Sequence, residues 1–333
     1  MGNRMNKSIK GFKQLSFVIP AMDEQDTLED LALQIMDVVG SMGNKYEAEI
    51  IFVDDGSKDN SWAVMNLLAD KYQGHVQAIR LRRNFGKAAA LEAGFRQSTG
   101  DIIFTMDADL QDDPNEIPRF LEALDSGLDL VSGWKRRRHD PASKTLPSRL
   151  FNKVTAWATG VPLHDFNCGY KAYRGEVVES VRLYGELHRY IPVLAHDVGF
   201  RIGEIEVLHH PRKHGVSKYG LERYVRGLLD LITVLATTRW LHKPGHLFGG
   251  LGVMAGFTGG IILTYLTVLW FLGLGPIGGR PLLLFGAMLC ILSVQMISIG
   301  LIGELFIRST KIRDINELIV SRASDTKSEK EHG

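Results

Sequence analysis

The chain has 333 residues, 45% of them hydrophobic, and a formal net charge of +1 at pH 7. This length suits one large domain or two ordinary ones, and the near-zero charge argues against a general binder of polyanions. The two cysteines, Cys168 and Cys290, lie far apart without a C-x-x-C spacing, so neither a disulfide framework nor a structural zinc site is expected.

Strand-like and helix-like segments alternate in the first part of the chain. Helix-like segments such as 27–42 and 61–72 separate apolar runs that are typical of buried parallel strands. This alternation predicts an α/β fold with a Rossmann-like, mostly parallel sheet that helices cover on both faces. The five predicted strands are 15–21, 48–56, 75–81, 101–109 and 129–134.

Acidic side chains come at the ends of three of these strands. Glu24 follows the first strand, Asp54 and Asp55 end the second, and Asp107 and Asp109 end the fourth. Ligands of open α/β sheets bind at the carboxyl ends of the strands. The sequence therefore predicts a ligand site at this edge of the sheet.

Four aspartates crowd the stretch FTMDADLQDDP, residues 104–114. Carboxylates two residues apart at a strand end suit Mg²⁺ or Mn²⁺, so Asp107, Asp109 and Gln111 are the predicted metal ligands. The alternative is a polar loop with a helix start, which fits residues 112–114 because an aspartate there precedes a proline. With a metal as the positive partner, the cluster would be unfavourable in the empty protein. We therefore expect weak metal binding until a nucleotide is present.

Residues 135–220 have a less regular pattern that is rich in basic residues and glycine. In the next segment, 219–243, apolar positions recur at helical spacing with Arg and Lys between them. This pattern predicts a helix that lies in a membrane interface, and the alternative is a helix packed on the soluble domain.

Two long stretches, 247–273 and 281–303, contain no charged residue. Each can cross a bilayer about 30 Å thick as a helix, so we expect two transmembrane helices, at about 247–273 and 281–307, rather than buried core helices. Basic residues flank the pair, whereas only Arg280 lies in the linker, and no signal-peptide core precedes Gln14. Both termini are thus expected in the cytoplasm, with a multi-pass protein in the cytoplasmic membrane.

The first of these stretches carries Gly252, Gly256 and Gly260 at four-residue spacing. Such spacing favours close helix packing in lipid, either within the hairpin or between subunits of a homo-oligomer. The expected organisation is a tail (1–14), a catalytic domain (15–220), an interfacial helix (221–244), the two spans (245–307) and a C-terminal tail (308–333).

Four motifs occur in a fixed order, each after a predicted strand: VIPAMDE, VDDGSKDNS, RNFGKAAALEAGF and DADLQ. In this combination the chain resembles the family-2 glycosyltransferases of GT-A fold, and within them the polyprenyl-phosphate branch. That branch includes dolichyl-phosphate mannosyltransferases and bactoprenol glucosyltransferases of the GtrB type. The resemblance runs from about Leu15 to about Arg308.

The resemblance implies an inverting transfer of a sugar from a nucleotide-sugar donor to polyprenyl phosphate, at the cytoplasmic face of the membrane and with a divalent cation. UDP-glucose and undecaprenyl phosphate are the expected substrates. Other donors, such as GDP-mannose, UDP-N-acetylglucosamine or an aminoarabinose-type nucleotide, are the alternative. More distant alternatives are a processive polysaccharide synthase and a non-catalytic membrane scaffold.

The resemblance also implies roles for individual residues. Asp165, in HDFNCGYKAYR, is the candidate catalytic base, although it could instead orient the acceptor or cap its loop. The implied nucleotide-binding residues are Pro20, Glu24, Asp54, Asp55, Lys87 and Asp107. Basic residues, some of which could instead form a solvated or lipid-headgroup-binding face, are the expected ligands of the donor and acceptor phosphates: Arg136, Arg138, Arg149, Arg212, Ser217 and Lys218.

Overall fold

The computed structural model describes residues 13–136, 142–181, 187–210, 233 and 244–309, without the side chains of 142–147, 149–150 and 307–309. The chain divides into two compact units, one within residues 1–232 and one within residues 233–333. Each unit is described by itself below.

A seven-stranded sheet forms the centre of the first unit. Its strand order is β3-β2-β1-β4-β6-β5-β7, and all neighbours are parallel except β6, which runs antiparallel to β4 and β5. The strands are β1 (Lys13–Ala21), β2 (Tyr46–Asp54), β3 (Val76–Arg80), β4 (Ile102–Thr105), β5 (Leu130–Trp134), β6 (Lys171–Arg174) and β7 (Ile202–Glu206).

Helices connect these strands and cover both faces of the sheet, as an α/β fold requires. In the first unit they are α1 (Leu28–Ser41), α2 (Ser61–Lys71), α3 (Lys87–Gln97), α4 (Ile117–Asp125), α5 (Ala142–Thr159), α6 (Gly175–Ser180) and α7 (Ile191–Val198). Short 3₁₀ helices at Gly43–Lys45, Pro114–Glu116 and Leu187–Tyr190 complete the described elements.

The sheet has a hydrophobic core on each face because successive side chains of a strand point to opposite sides. Phe17 of β1 belongs to one core, where it stacks on Phe104 of β4 with ring centroids 5.0 Å apart. Its neighbour Val18 belongs to the other core, together with Val53 and Tyr173. This double burial explains why these strands are continuous apolar runs in the sequence.

The predicted fold class and all five predicted strands are confirmed, with one difference that affects the site. The fourth strand ends at Thr105 rather than at residue 109, so Asp107 and Asp109 lie in the loop after it. Strands β6 and β7 lie in the stretch whose pattern is less regular. Sequence periodicity does not predict β6, because it has only four residues and begins and ends with a charged one.

The second unit contains two long helices, α8 (Pro244–Phe271) and α9 (Pro281–Ser309). Both are long and apolar enough to cross a membrane by length and composition, and few residues of their most apolar windows are buried. A soluble core helix would be mostly buried, so the pair is a candidate transmembrane hairpin.

Small residues of α8 pack against α9. A Cβ added at Gly256 would lie 2.6 Å from Ser293 Oγ, and one added at Gly259 would lie 2.9 Å from Cys290 Sγ. At Gly260 it would meet nothing within 4 Å, so this glycine does not pack against α9 within the chain, and its packing between subunits stays a prediction. Four residues turn an α-helix through slightly more than a full turn, which favours position 259 for the same face. The contacts of Gly256 and Gly259 thus lie within the hairpin.

Candidate active site

The loops after β1 and β2 are tied together at the carboxyl edge of the sheet. Asp23 Oδ1 accepts a hydrogen bond from the N–H of Lys58 at 2.8 Å, and its own N–H donates to Ser57 Oγ at 3.0 Å. The N–H of Glu24 donates to Ser61 Oγ at 2.9 Å. The two loops therefore form a single rim, built from the motifs VIPAMDE and VDDGSKDNS.

Asp54, a predicted nucleotide-binding residue, is completely buried at the end of β2. Its Oδ1 accepts from the N–H of Ser57 at 2.8 Å, and Arg80 Nε lies 3.1 Å from Oδ2. The first contact is a local hydrogen bond from the backbone to the side chain, by which Asp54 shapes the loop that follows it. Pro20 and Glu24, also predicted for the nucleotide, are half-buried at and after the end of β1.

Asp55 fixes the loop that leads into α3. Its two carboxylate oxygens accept from the N–H groups of Phe85 and Gly86 at 2.7 and 3.0 Å. Burial raises the pKa of Asp55 above its ordinary value, although these two N–H groups act in the opposite direction. Gly86 has a φ of 91°, which favours glycine, and α3 begins at the next residue, Lys87.

The crowded aspartates have lysine partners. Lys87 forms an ion pair and hydrogen bond with Asp107, and Lys135 Nζ lies 2.8 Å from Asp112 Oδ1. Asp112 also accepts from the N–H of Asp107 at 3.2 Å. We expected the negative charge of these aspartates to have no positive partner without a metal. That expectation is wrong, because Lys87 at the start of α3 and Lys135 after β5 supply positive charge.

These lysines set the ionisation of the cluster. Burial alone would raise the pKa of Asp107. The positive charges of Lys87, Lys135 and Lys171 outweigh burial and hold that pKa well below its usual range. Burial alone would likewise lower the pKa of Lys135, but the Asp112 carboxylate raises it above its usual range. Asp107 is therefore a carboxylate at neutral pH.

The segment that follows Asp165 packs against the end of β4. Thr105 Oγ1 donates to the carbonyl of Gly169 at 2.7 Å, and a Cβ at Gly169 would lie 2.7 Å from Asp107 Oδ2. Asp165 itself is buried, and its Oδ1 accepts from the N–H of Asn167 at 3.1 Å. This contact is the loop cap considered for Asp165, and the topology brings its segment beside Asp107.

Basic side chains surround a cavity beside Asp107. Its lining includes Lys87, Lys171, His188 and Arg189. Burial lowers the pKa of Lys171 below its ordinary value. Burial, with the positive charges of Lys87, Arg189 and Lys171, holds the pKa of His188 well below its usual range, so this imidazole is neutral at pH 7.

A family model described as Glycosyl transferase family 2 matches residues 16–182. The chain belongs to glycosyltransferase family 2. Among curated proteins it is 40% identical to the dodecaprenyl-phosphate galacturonate synthase of Rhizobium johnstonii over 304 residues, which cover 89% of this chain and 88% of the relative. It is 36% identical to the undecaprenyl-phosphate 4-deoxy-4-formamido-L-arabinose transferase of Edwardsiella ictaluri, with 89% of each chain covered.

Solved structures share the fold of this glycosyltransferase. Glucosyl-3-phosphoglycerate synthase from Mycobacterium tuberculosis, in complex with Mg²⁺ and uridine diphosphate, has a TM-score of 0.51 and 19% identity, and the match covers 68% of this chain and 79% of that one. A second mycobacterial protein has a TM-score of 0.51 and 21% identity, with 69% and 76% covered. At these identities the likeness concerns the fold alone. The resemblance stated from the motifs is confirmed.

The predicted metal ligands of this glycosyltransferase offer hard oxygen donors. Asp109 is buried, and its Oδ1 accepts from the N–H of Gln111 at 3.2 Å, while Gln111 Nε2 lies 3.3 Å from the carbonyl oxygen of His210. Among the described residues no three His, Cys, Asp or Glu side chains converge on one point. Asp107 and Asp109 fit a Mg²⁺ or Mn²⁺ ion that takes its other ligands from water and substrate phosphate. The ligand set stays a prediction.

The predicted phosphate ligands are only partly placed. Arg136 Nη1 lies 3.2 Å from Glu206 Oε2, and its guanidinium lies over the Trp134 ring at the surface. The loop after β4 that carries the four aspartates, residues 106–113, is called the aspartate loop below. Among the basic residues that follow β5, Lys135 contacts this loop, although no role is predicted for it. The other predicted ligands lie outside the described residues: Arg138, Arg212, Ser217, Lys218 and the side chain of Arg149.

Sequence reasoning missed Lys171, His188 and Arg189. Lys171 lies in the same motif as Asp165, and this closeness in the sequence was a usable signal. His188 and Arg189 carry no such signal, because a basic pair before a helix is common on protein surfaces. Only the fold brings them to the cavity beside Asp107.

Proposed function

We propose that this glycosyltransferase transfers the sugar of a nucleotide-diphosphate donor to the phosphate of a polyprenyl phosphate. The observation that carries the proposal is the similarity over nearly nine-tenths of the chain to enzymes named for sugar transfer to dodecaprenyl and undecaprenyl phosphate. The lysine-compensated aspartate loop beside the Asp165 segment supports it, because the reaction joins two anionic substrates and needs a site where positive charge is already fixed.

We assign the binding of the nucleotide-sugar donor to the rim and the aspartate loop. Glu24 and Asp55 lie where carboxylates could accept hydrogen bonds from the base or the ribose. Asp107 and Asp109 would hold a divalent cation, which, when bound, supplies positive charge to the diphosphate leaving group. Lys87 lies at the N-terminus of α3 beside Asp107, where it opposes the negative charge that develops on that leaving group.

We assign the binding of the polyprenyl phosphate acceptor to the segment that contains Asp165. A phosphate monoester has a second pKa of about 6 and is largely ionised at pH 7, so its attack on the anomeric carbon needs no strong base. Because Asp165 is buried and caps its own loop, we assign it the orientation of the acceptor rather than the removal of a proton. The attack occurs on the face opposite the leaving nucleotide, with inversion, as the family resemblance implies.

The candidate hairpin of α8 and α9 is the part of the chain that we expect to contact the membrane. A polyprenyl phosphate keeps its phosphate at the headgroup level, so an enzyme that uses it benefits from an anchor in the same bilayer. We propose that both helices span the membrane and that both ends of the chain lie in the cytoplasm, as the distribution of basic residues around the spans indicates.

The resemblance and the curated relatives imply different donor sugars. The resemblance to the GtrB type implies UDP-glucose, whereas the two relatives are named for galacturonate and for 4-deoxy-4-formamido-L-arabinose. A panel therefore has to include all of these sugars as UDP-activated donors, and GDP-mannose as a donor with a different nucleotide.

The experiment incubates the full-length protein in nanodiscs with undecaprenyl phosphate, Mg²⁺ or Mn²⁺ and each donor in turn. We expect mass spectrometry to detect a lipid-linked sugar from at least one donor. The Asp109→Asn variant should lose activity at least about 100-fold because it weakens a predicted ion ligand. The exposed Asp37→Asn variant on α1 is the matched control and should stay active. No lipid-linked sugar from any donor would contradict the proposed function.

A further inference from the structure

The loop between α5 and β6, residues 160–170, carries Asp165 and forms neither helix nor strand. Its buried backbone groups therefore need hydrogen-bond partners other than those of a helix or a sheet. Asn152 of α5 is 5% exposed and contacts this α5–β6 loop on both sides of Asp165. The inference drawn from these contacts rests on the proposed function.

The side-chain amide of Asn152 uses both of its ends. Its Nδ2 donates to the carbonyl oxygen of His164 at 2.9 Å, and its Oδ1 accepts from Nδ2 of Asn167 at 3.3 Å. Because a carbonyl oxygen can only accept, it determines which end of the amide faces His164. An ionised aspartate would lack the donor, and a leucine would lack both groups. The two contacts together therefore require an amide at this position.

The contact with Asn167 continues to the carboxylate of Asp165. The N–H of Asn167 donates to Asp165 Oδ1 at 3.1 Å. Asn167 thus lies between the other two residues, since Asn152 holds its side chain and its own backbone holds Asp165. A shift of Asn167 would move the N–H group that fixes the carboxylate.

The sheet holds the other side of the loop independently of Asn152. The N–H of His164 donates to Glu204 Oε2 on β7 at 2.8 Å, and the imidazole forms a second hydrogen bond with the same carboxylate. The His164 ring also stacks on Trp134 of β5, with ring centroids 4.3 Å apart. Loss of the Asn152 amide should therefore leave His164 in place and release mainly Asn167.

Asn152 also ties the loop to a helix that carries another predicted residue of the site. Arg149, a predicted ligand of the substrate phosphates, lies three residues earlier on α5, slightly less than one helical turn away. We propose that Asn152 is a positioning residue of the transfer, which holds Asp165 at a fixed place relative to α5 and so aligns the acceptor phosphate for attack. A displacement of about 1 Å between reacting groups can cost about 100-fold in rate.

The first test replaces Asn152 by leucine, which has a similar size and no hydrogen-bonding group. In nanodiscs, with undecaprenyl phosphate and the productive donor at saturation, we expect kcat to fall at least about 10-fold. Donor affinity, measured by isothermal titration, should stay within about twofold of wild type because the contacts of Asn152 are with the α5–β6 loop. An unchanged kcat, or a weakening of donor binding as large as the loss of kcat, overturns the proposal.

The matched control removes a buried hydrogen bond elsewhere in the same unit. Ser16 on β1 is completely buried and donates to Glu49, away from the carboxyl edge of the sheet. Ser16→Ala should keep the wild-type kcat at a temperature at which both variants stay folded. A loss of kcat equal to that of Asn152→Leu would show that any buried defect has this effect, which contradicts a positioning role.

A double-mutant cycle tests whether Asn152 acts through Asn167. Asn167→Ala removes their shared contact from the other end and keeps the backbone N–H that binds Asp165. Combined with Asn152→Leu, it should lower kcat no more than about threefold beyond the larger single loss, because the two residues are coupled. Losses that multiply independently would contradict the path to Asp165. Asn167 is only half-buried, so Asn167→Ala also tests the contact if Asn152→Leu does not fold.

Hydrogen–deuterium exchange of the full-length protein without substrates tests the same contact without turnover. Peptides that cover residues 160–170 should exchange at least about threefold faster in Asn152→Leu than in the wild type or in Ser16→Ala. Equal exchange would show that Asn152 does not hold the loop and would end the proposal. Product from none of the donors with the wild-type protein contradicts the proposed function instead, and the exchange rates still tell whether Asn152 fixes the loop that carries Asp165.

Discussion

Lys87 and Lys135 each compensate one aspartate of the loop after β4, but their ion pairs differ in burial. The side chains of Lys135 and Asp112 are 11% and 0% exposed, whereas those of Lys87 and Asp107 are 26% and 33% exposed. A buried pair cannot lose one partner without leaving the other charge in a medium that solvates it poorly. A half-exposed pair can exchange its partner for water or for another cation. The two lysines should therefore respond differently to substitution.

Replacement of Lys135 by methionine should mainly cost stability. It leaves the Asp112 carboxylate buried without its cation, which typically costs about 3–5 kcal/mol when one member of a buried pair is removed. We expect the thermal unfolding midpoint to fall by at least about 6 °C for a domain of this size. The control is Arg96→Met, from an exposed pair with Glu92, which should change stability by less than about 1 kcal/mol. Equal midpoints for the two variants would contradict the structural role of Lys135.

Replacement of Lys87 by glutamine should change how the empty protein binds metal. A cation that reaches Asp107 must first displace the Lys87 ammonium, a charge-assisted hydrogen bond of about 1.5–3 kcal/mol. Without that competitor we expect Mn²⁺, titrated into donor-free protein and followed by electron paramagnetic resonance, to bind at least about 10-fold more tightly. Lys58→Gln, at an exposed lysine of the rim, is the control and should leave the affinity unchanged. Weaker binding in Lys87→Gln would mean that the two cations do not compete.

At the scale of elements, the segment between Asp165 and β6 has one glycine at which an added side chain would meet Asp107. A Cβ at Gly169 would lie 2.7–2.9 Å from the carboxylate of Asp107, closer than real Cβ contacts allow. Gly169→Ala must therefore displace either Asp107 or its own segment, and displacements of this size cost rate when reacting groups have to be aligned. We expect kcat to fall at least about 10-fold in the lipid-linked sugar assay.

The matched control for that prediction is Gly40→Ala on α1, where an added Cβ would meet nothing within 4 Å. Alanine is a better helix former than glycine, so this variant should keep wild-type activity and gain up to about 1 kcal/mol. An unchanged kcat in Gly169→Ala would show that the contact with Asp107 has no part in catalysis.

The start of the element after the aspartate loop depends on Asp113. Its carboxylate accepts from the N–H of Asn115 at 2.9 Å, which is the predicted cap, and lies 3.1 Å from His210 Nε2. Burial alone would raise the pKa of Asp113, but the hydrogen bonds from His210 and Asn115 outweigh it and lower that pKa below 3.8. For an acid with a lowered pKa, the stabilisation is present above 3.8 and is lost as the pH falls through the folded-state value.

Asp113→Ala should therefore destabilise the protein by about 1 kcal/mol at pH 7, the usual loss for an N-cap. The difference from wild type should shrink as the pH falls below 3.8, because the wild-type carboxylate then takes up a proton. Thermal unfolding at pH 7 and at the lowest pH at which the wild type stays folded checks this. Asp37→Ala, at an exposed aspartate of α1, should show no such pH dependence. A pH-independent difference for Asp113→Ala would mean that its loss acts through packing alone.

At the scale of the whole molecule, the sequence predicts features that repeat along the chain and misses those that join distant parts. The apolar runs of β1, β2 and β4 are predictable because burial on both sides of a sheet imposes them. The Lys87–Asp107 and Lys135–Asp112 pairs are not, since any of several nearby basic residues could have been the partner. The glycine spacing predicts a packed helix but does not tell which glycines face the partner helix. The structure shows that Gly259 contacts α9 and that Gly260 does not.

The hairpin contact gives a test of the second unit in the membrane. A Cβ at position 259 would lie 2.9 Å from Cys290 Sγ and 2.8 Å from the carbonyl oxygen of Gly286, so a side chain there meets α9 and needs a small shift of the helices, whereas position 260 faces open space. Mild oxidation in native membranes should thus link Gly259→Cys to Cys290 within one chain, detected as a linked peptide by mass spectrometry, and should leave Gly260→Cys unlinked. A crosslink between chains at 260, with none at 259, would place the glycine face between subunits instead of within the hairpin. A disulfide between position 259 and Cys290 within one chain would show that Gly259 faces α9. Lipid or a second subunit would then contact the outer face of the hairpin rather than Gly259.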